Sequence, residues 1–452
     1  MLNRKIEPTI ERYLKSDSRK VLVVAGARQV GKSYIIRHCA SKIFKNVVEI
    51  NLIADSEGPR IFASVRTIDD FYFALSAYHG KPLGGPSDTL VFLDEIQQYP
   101  PLLTLLKFLR EDNRFSYAAS GSLLGVTLKK SASVPLGSID IVHMYPLDFE
   151  EFLWANEFGS EAIGNLRELF LKRQNIPEGI HNRLMDLYKR YLLIGGLPES
   201  VNKYLATRDL IQVREVQNTI IDLYKIDASQ YDKLNSLKIS RIYDLVPSNM
   251  ENKKKRLVFK DIEDKKGKRG SDYESEIEYL ISSGIALGVN AISNPKFPLV
   301  ETEQKNLIKL YLNDPGLLTL KLYRDNPMPV LNTESGINLG AVYECAVACQ
   351  LAANDNHLYY YDNRQRGEVD FLIDDFRNLT VVPLEVKSGK DYKIHSAISR
   401  MVATDDYRIN QGYVLSNSRE ISQNESGSIT YVPIYCSMFF DNRLHRNGPV
   451  LI

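Results

Sequence analysis

The chain is short of cysteine, of long apolar runs and of any excess charge. Its 452 residues hold four cysteines, Cys39, Cys345, Cys349 and Cys436. These form no CxxC pair and no zinc-finger spacing, which excludes a disulfide-stapled scaffold and a cysteine-based metal centre. Cys345 and Cys349 stand four apart on one helix face and read as small buried hydrophobes. No run of about 18 apolar residues occurs, so no membrane-spanning helix is expected. Met1–Glu7 lacks an apolar core of signal-peptide length. With scattered, unpaired cysteines, this predicts a cytoplasmic location. The formal net charge is +1, so whole-chain electrostatics selects no partner, and a nucleic-acid signal must come from a local patch.

What remains is ordinary for a globular protein: 44% hydrophobic and 25% charged residues. At roughly 100–200 residues per domain, the length suits two to four domains.

The first strong pattern lies near the N-terminus. Val21–Ala25 is almost wholly apolar, as a buried parallel strand is. Gly26-Ala27-Arg28-Gln29-Val30-Gly31-Lys32-Ser33 follows at once and matches G-x-x-x-x-G-K-[ST] in full. Ser33–Ser41 then reads as a helix. Glycines let a loop curl its N–H groups toward phosphates, and the helix N-terminus adds positive dipole. This pattern predicts an ATP site over Gly26, Ala27, Arg28, Gln29, Val30, Gly31, Lys32, Ser33 and Tyr34. Lys32 would reach the β- and γ-phosphates, and the Ser33 hydroxyl would ligate Mg2+.

A second apolar run, Leu90–Leu93, ends in Asp94-Glu95. A carboxylate at the end of a strand beside a P-loop strand can hold Mg2+, the role expected of Asp94. Glu95 would polarise the attacking water. A third strand, Phe115–Ala119, ends in Ser120-Gly121-Ser122. Ser120 or Ser122 could sense the γ-phosphate, or could simply form a strand-to-loop turn.

These features resemble the AAA-like prokaryotic ATPases related to the archaeal ATPase group. Further segments carry the resemblance: Asp94-Glu95-Ile96-Gln97 with Pro100 and the helix Leu102–Arg110, and Ser120–Leu124. Tyr145-Pro146-Leu147-Asp148-Phe149-Glu150-Glu151-Phe152 and the Gly195-Gly196-Leu197-Pro198 turn complete it. The resemblance runs along nearly the whole chain and implies an ATPase. One position departs: many members carry Gly-Arg ahead of the Tyr-Pro-Leu segment, where this chain has Gly137-Ser138. Arg110, Arg114 and Arg190 are the substitutes available for that cation.

From about 160 to 240 the apolar spacing is helical, as at Leu184, Leu187 and Tyr191. From 235 to 325 the expected order is helix, strand Leu257–Phe259, helix Asp272–Ser282, and a β-ribbon of Ile285–Ala291 with Leu307–Leu312. That order resembles a winged helix, which can place a helix in a DNA major groove. Residues 253–269 hold nine lysines and arginines against three acids. The excess could neutralise several phosphates of DNA, or could be a solvated surface loop.

Farther on, helix Leu339–Leu351 carries Glu344. Strand Glu368–Ile373 carries Asp370. After a short turn, strand Val381–Lys387 carries Glu385 and Lys387 on one face. Two carboxylates and a lysine suit metal-assisted phosphodiester cleavage. The pattern resembles the PD-(D/E)XK nuclease core, and also the C-terminal domain of unknown function that usually follows this ATPase type. The resemblance implies a second Mg2+ or Mn2+ site at Glu344, Asp370 and Glu385, with Lys387 orienting the water. Surface salt bridges and an inactive nuclease-like fold are the other readings.

The expected architecture is α/β with four domains: an ATPase core over 1–158, a helical lid over 159–232, a winged-helix-like domain over 233–325 and a nuclease-like domain over 326–452. The expected partners are ATP and DNA. No membrane is expected, and self-association or a protein partner is left open.

Overall fold

The computed structural model describes residues 2–16, 18, 20–52, 57–122, 136–231, 235–252, 255–257, 259–263, 270–332, 337–389 and 392–442. They form two compact units: residues 3–145 with 282–285, and residues 146–281 with 286–452.

The first unit is built on five parallel strands: β1 (Val21–Ala25), β2 (Asn46–Asn51), β3 (Thr89–Asp94), β4 (Ser116–Gly121) and β5 (Ile139–His143). Their order is β2-β3-β4-β1-β5, with every pairing parallel. β1 and β3 are buried along their whole length, as their unbroken apolar runs require of strands covered on both faces. Val21, Val23, Val91 and Leu93 share one core cluster with Phe71, Leu102 and Leu106 from flanking helices. The sheet brings the C-terminal ends of β1, β3 and β4 side by side, which places the site.

The second unit begins with helices. The Tyr-Pro-Leu segment and the double-glycine turn, far apart in sequence, meet here. Leu147 N–H donates to the Gly196 carbonyl at 2.6 Å, and the Tyr191 hydroxyl donates to the Leu147 carbonyl at 3.0 Å. Asp148 caps the helix Phe149–Ala155 in a capping box with Glu151. Asp314, wholly buried, accepts from Gly196 N–H at 2.6 Å and from Leu317 N–H at 3.1 Å. One carboxylate thus closes the double-glycine turn and caps the helix Pro315–Tyr323.

Burial pushes the Asp314 carboxyl up from 3.8 to about 6, against the lowering effect of its backbone donors. The folded chain therefore binds this proton more tightly than the unfolded chain. Its contribution to stability is fully present below the unfolded value and is lost as pH rises through about 6. Urea midpoints at pH 4 and pH 7 test this. The wild type should lose on the order of 2 kcal/mol more between them than Asp314→Asn does. Equal pH dependence in the two proteins would rule it out.

The remaining strands form one eight-stranded mixed sheet: β6 (Ala286–Ile292), β7 (Glu303–Leu312), β8 (Tyr359–Asn363), β9 (Gly367–Asp375), β10 (Thr380–Val386), β11 (Gly412–Ser416), β12 (Ser422–Gln423) and β13 (Ile429–Pro433). Their order is β12-β13-β11-β10-β9-β8-β6-β7. The expected ribbon exists, since β6 and β7 pair antiparallel. It is the edge of this sheet, because β6 also pairs parallel with β8. The ribbon and the strands expected of the nuclease-like domain thus share one sheet across the expected boundary at 325/326. The expected strand at Leu257–Phe259 is absent at its described residues, Leu257 and Phe259. The helix Gly340–Ala353 is buried from Ala341 through Ala352, which explains its nearly unbroken apolar sequence. Among the described residues no helix is long and apolar enough to cross a membrane.

Candidate functional site

The loop Gly26–Gly31 joins β1 to the helix Lys32–Ile43. Two glycines shape it. A Cβ at Gly26 would lie 2.1 Å from the Met144 carbonyl oxygen, and Gly31 has a φ of +95°. Arg4, unremarkable in the sequence, braces the loop from outside by donating to the Val30 carbonyl at 3.0 Å. A cavity of about 330 Å3 opens over the loop, lined among others by Arg28, Gln29, Gly31, Lys32, Ser33 and Tyr34. Gly26, Ala27 and Val30, expected in the same site, do not line it. Ala27 and Val30 are buried, and they support the turn.

Lys32 donates to the carbonyls of Gly26 at 3.1 Å and Ala27 at 2.9 Å. The ammonium rests on the loop it would leave to meet phosphate. The Ser33 hydroxyl is 2.9 Å from each oxygen of Asp94. This oxygen-only donor set suits a hard divalent cation. Asn51, at the end of β2, lies in register with Asp94 and donates to it at 2.9 Å. Sequence reading missed Asn51 because strand pairing alone brings it there.

The two serines after β4 are both placed, in different ways. Ser120 donates to Asp94 and is fully buried. Ser122 serves Glu95: its N–H lies 3.2 Å and its hydroxyl 3.1 Å from Glu95 Oε2. Gln97 donates to the same oxygen. Burial raises the Glu95 carboxyl, but Lys32 and these donors outweigh it and hold the group below its ordinary value. Glu95 is therefore ionised near neutrality. Arg28 and Arg37 line the cavity, whereas Arg110 and Arg114 do not. Arg110 binds the Ser18 carbonyl at 2.8 Å, and Arg114 pairs with Asp112 at 3.1 Å.

The C-terminal acids also come together, in the second unit. Glu344, Asp370 and Glu385 are each less than one-tenth exposed. Asp370 Oδ2 accepts from Val386 N–H at 2.9 Å, which ties β9 to β10. Lys387 Nζ is 2.8 Å from Glu385 Oε1. An unexpected residue joins them: Lys255 binds Glu344 and stands 3.8 Å from Asp370 Oδ1. Burial and the neighbouring Asp370 push Glu344 up to about 7, and the same two causes push Glu385 up to about 8. Among the described residues, no group of three or more His, Cys, Asp or Glu is arranged to hold a metal ion. As folded here, the three acids do not fit the second divalent site expected of them.

The basic stretch is partly consumed by the fold. Lys255 serves Glu344, and Arg256 pairs with Asp362. Lys253, Lys254, Lys265, Lys266, Lys268 and Arg269 lie outside the described residues.

A P-loop after β1 of a five-stranded parallel sheet, with an acid at the end of β3, which β4 separates from β1 where the sequence suggested the two strands lie side by side, defines a nucleotide-binding α/β core. Comparison with known families agrees: residues 18–153 match the AAA domain. Residues 185–327 match the domain of unknown function DUF8612, and residues 339–437 match the domain of unknown function DUF4143. No curated protein matches the chain. Among solved structures, the Walker-type ATPase PABY2304 of Pyrococcus abyssi is similar at 16% identity, with a TM-score of 0.42, over 71% of this chain and 96% of that one. The RuvB Holliday junction branch migration motor of Thermotoga maritima is similar at 16% identity, with a TM-score of 0.30, over 63% of this chain and 89% of that one. Likenesses this distant say nothing about activity.

Proposed function

We propose that the chain binds ATP with Mg2+ and hydrolyses it, and that hydrolysis drives or gates a DNA-interacting, nuclease-like C-terminal half. The observation that carries the ATPase reading is the Ser33 hydroxyl held 2.9 Å from both Asp94 oxygens beside the P-loop turn. Ser33 and Asp94 would hold Mg2+, which would supply positive charge to the phosphates as negative charge develops in the transition state. Loop N–H groups and the start of the helix Lys32–Ile43 cradle the phosphates. Lys32 exchanges its two carbonyl partners for phosphate oxygens. Asn51 and Ser120 fix the rotamer of Asp94. Glu95, ionised, releases Ser122 and accepts the proton of the attacking water as its oxygen bonds to the γ-phosphorus and ADP leaves. Glu95→Gln should lower kcat by about 100-fold or more while ATP still binds. An unchanged kcat would remove Glu95 from the mechanism.

A second reading is a nucleotide-dependent switch or scaffold that turns over slowly and carries an inactive nuclease-like domain. It is favoured by Glu95 being engaged by Ser122 and Gln97, and by Lys255 among the C-terminal acids. Steady-state ATPase rates with and without DNA separate the two. Strong stimulation by DNA supports the first reading, and tight ATP binding with negligible turnover in both arms supports the second. DNA contact itself is motivated by the local excess of lysine and arginine over 253–269.

A further inference from the structure

Four acids of the C-terminal region are paired with three lysines of the chain itself, one of which is shared between two of them. Lys387 holds Glu385 at 2.8 Å. Lys309, only 1% exposed, holds Glu368. Lys255 comes from the segment after the helix Ser236–Glu251, far in sequence from its partners. It binds Glu344 and stands 3.8 Å from Asp370. Its backbone takes a φ of +47°, uncommon for a residue with a side chain.

We infer that the Lys255 ammonium occupies the place between Glu344 and Asp370 that a divalent cation would take, so that this protein carries its own cation where a nuclease-like site carries a metal. Its meaning for cleavage rests on the nuclease-like reading of the three acids. The cation exchange itself does not.

Three observations support the inference. First, a buried carboxylate without a counter-charge is costly, and a lysine threaded in from a distant segment meets that need with one charge instead of two. Second, Asp370 Oδ2 is committed to Val386 N–H, and Tyr311 donates to the second oxygen of Glu344 at 3.3 Å. The oxygens left facing each other are the ones Lys255 shares. Third, Glu385 Oε2 is buried with no hydrogen-bond partner, in a residue only 7% exposed. An acceptor left over beside a filled site is what a singly charged, three-donor cation leaves where a metal would take more oxygen ligands.

The test is Mn2+ titration of the full-length, nucleotide-free chain at pH 8, read by electron paramagnetic resonance, for the wild type, Asp370→Asn, Lys255→Met and Lys255→Met with Asp370→Asn. The wild type should show no Mn2+ site sensitive to Asp370→Asn. Lys255→Met should gain one site at least about tenfold tighter than any in the wild type, and adding Asp370→Asn should remove it. Thermal unfolding gives a second readout. Lys255→Met should have a lower Tm without metal, since Glu344 loses its paired ammonium, and Mn2+ should restore it. Lys255→Gln serves the same purpose if the methionine variant does not fold. The inference is overturned if the wild type binds Mn2+ through Asp370 as tightly as the variants do, or if folded Lys255→Met and Lys255→Gln gain no site. A variant that binds Mn2+ yet leaves plasmid DNA intact would sink the nuclease reading alone.

Discussion

Lys32→Ala is expected to lower the kcat/KM for ATP by about 100- to 1000-fold, the cost typical of removing one preorganised cation or donor from developing negative charge. Lys32 is only 5% exposed and rests on the Gly26 and Ala27 carbonyls. Its ammonium is thus held within reach of the bound phosphates before they arrive, and little is lost in ordering it. Alanine removes the charge and leaves two loop carbonyls without that donor. Circular dichroism and a urea midpoint near the wild-type value would show that the loss is local. Phosphate release at the wild-type rate would remove this lysine from the reaction.

Gly196→Ala is expected to be the most damaging small substitution in the second unit. A Cβ there would lie 1.9 Å from the Leu147 carbonyl oxygen, which is backbone and cannot swing aside. The Gly196 N–H is bonded to Asp314 and its carbonyl to Leu147 N–H, so relief of the clash breaks both links. A loss of about 3 kcal/mol or more follows, at or beyond the upper end for overpacked sites. Gly164→Ala is the control. It lies in the helix Ser160–Lys172 with nothing within 4 Å of the added atom, and should gain about 1 kcal/mol from helix propensity. Urea midpoints of the two variants should move in opposite directions. A Gly196→Ala protein as stable as the wild type would mean that the two segments do not meet as described.

What could be read from the sequence was local. Val21–Ala25, the P-loop and Lys32 lie in one stretch, and their chemistry needs only neighbours in the chain. Glu344, Asp370 and Glu385 sit on the helix and hairpin that apolar pattern and turn residues announced, and Lys387, expected inside the second strand, follows directly after its end at Val386. What could not be read depended on long-range pairing. Asn51 reaches Asp94 through the β2–β3 register. Ser122 reaches Glu95 across 27 positions, and Lys255 reaches Glu344 across 89. The ribbon of β6 and β7 was legible as a ribbon. Its membership in the eight-stranded sheet was not, because backbone pairing with β8 made that choice. The basic stretch misled in part, since charge counting cannot distinguish a lysine facing solvent from one buried against carboxylates.

The P-loop and Asp94 together are expected to hold ATP with its metal. Isothermal titration of the full-length chain with ATP, run with Mg2+ and again with excess chelator, tests it most directly. One ATP per chain, bound markedly more tightly with Mg2+ and with that advantage lost in Asp94→Ala, is the predicted result. Absence of binding under both conditions, or an affinity indifferent to Mg2+ and to Asp94, would contradict it.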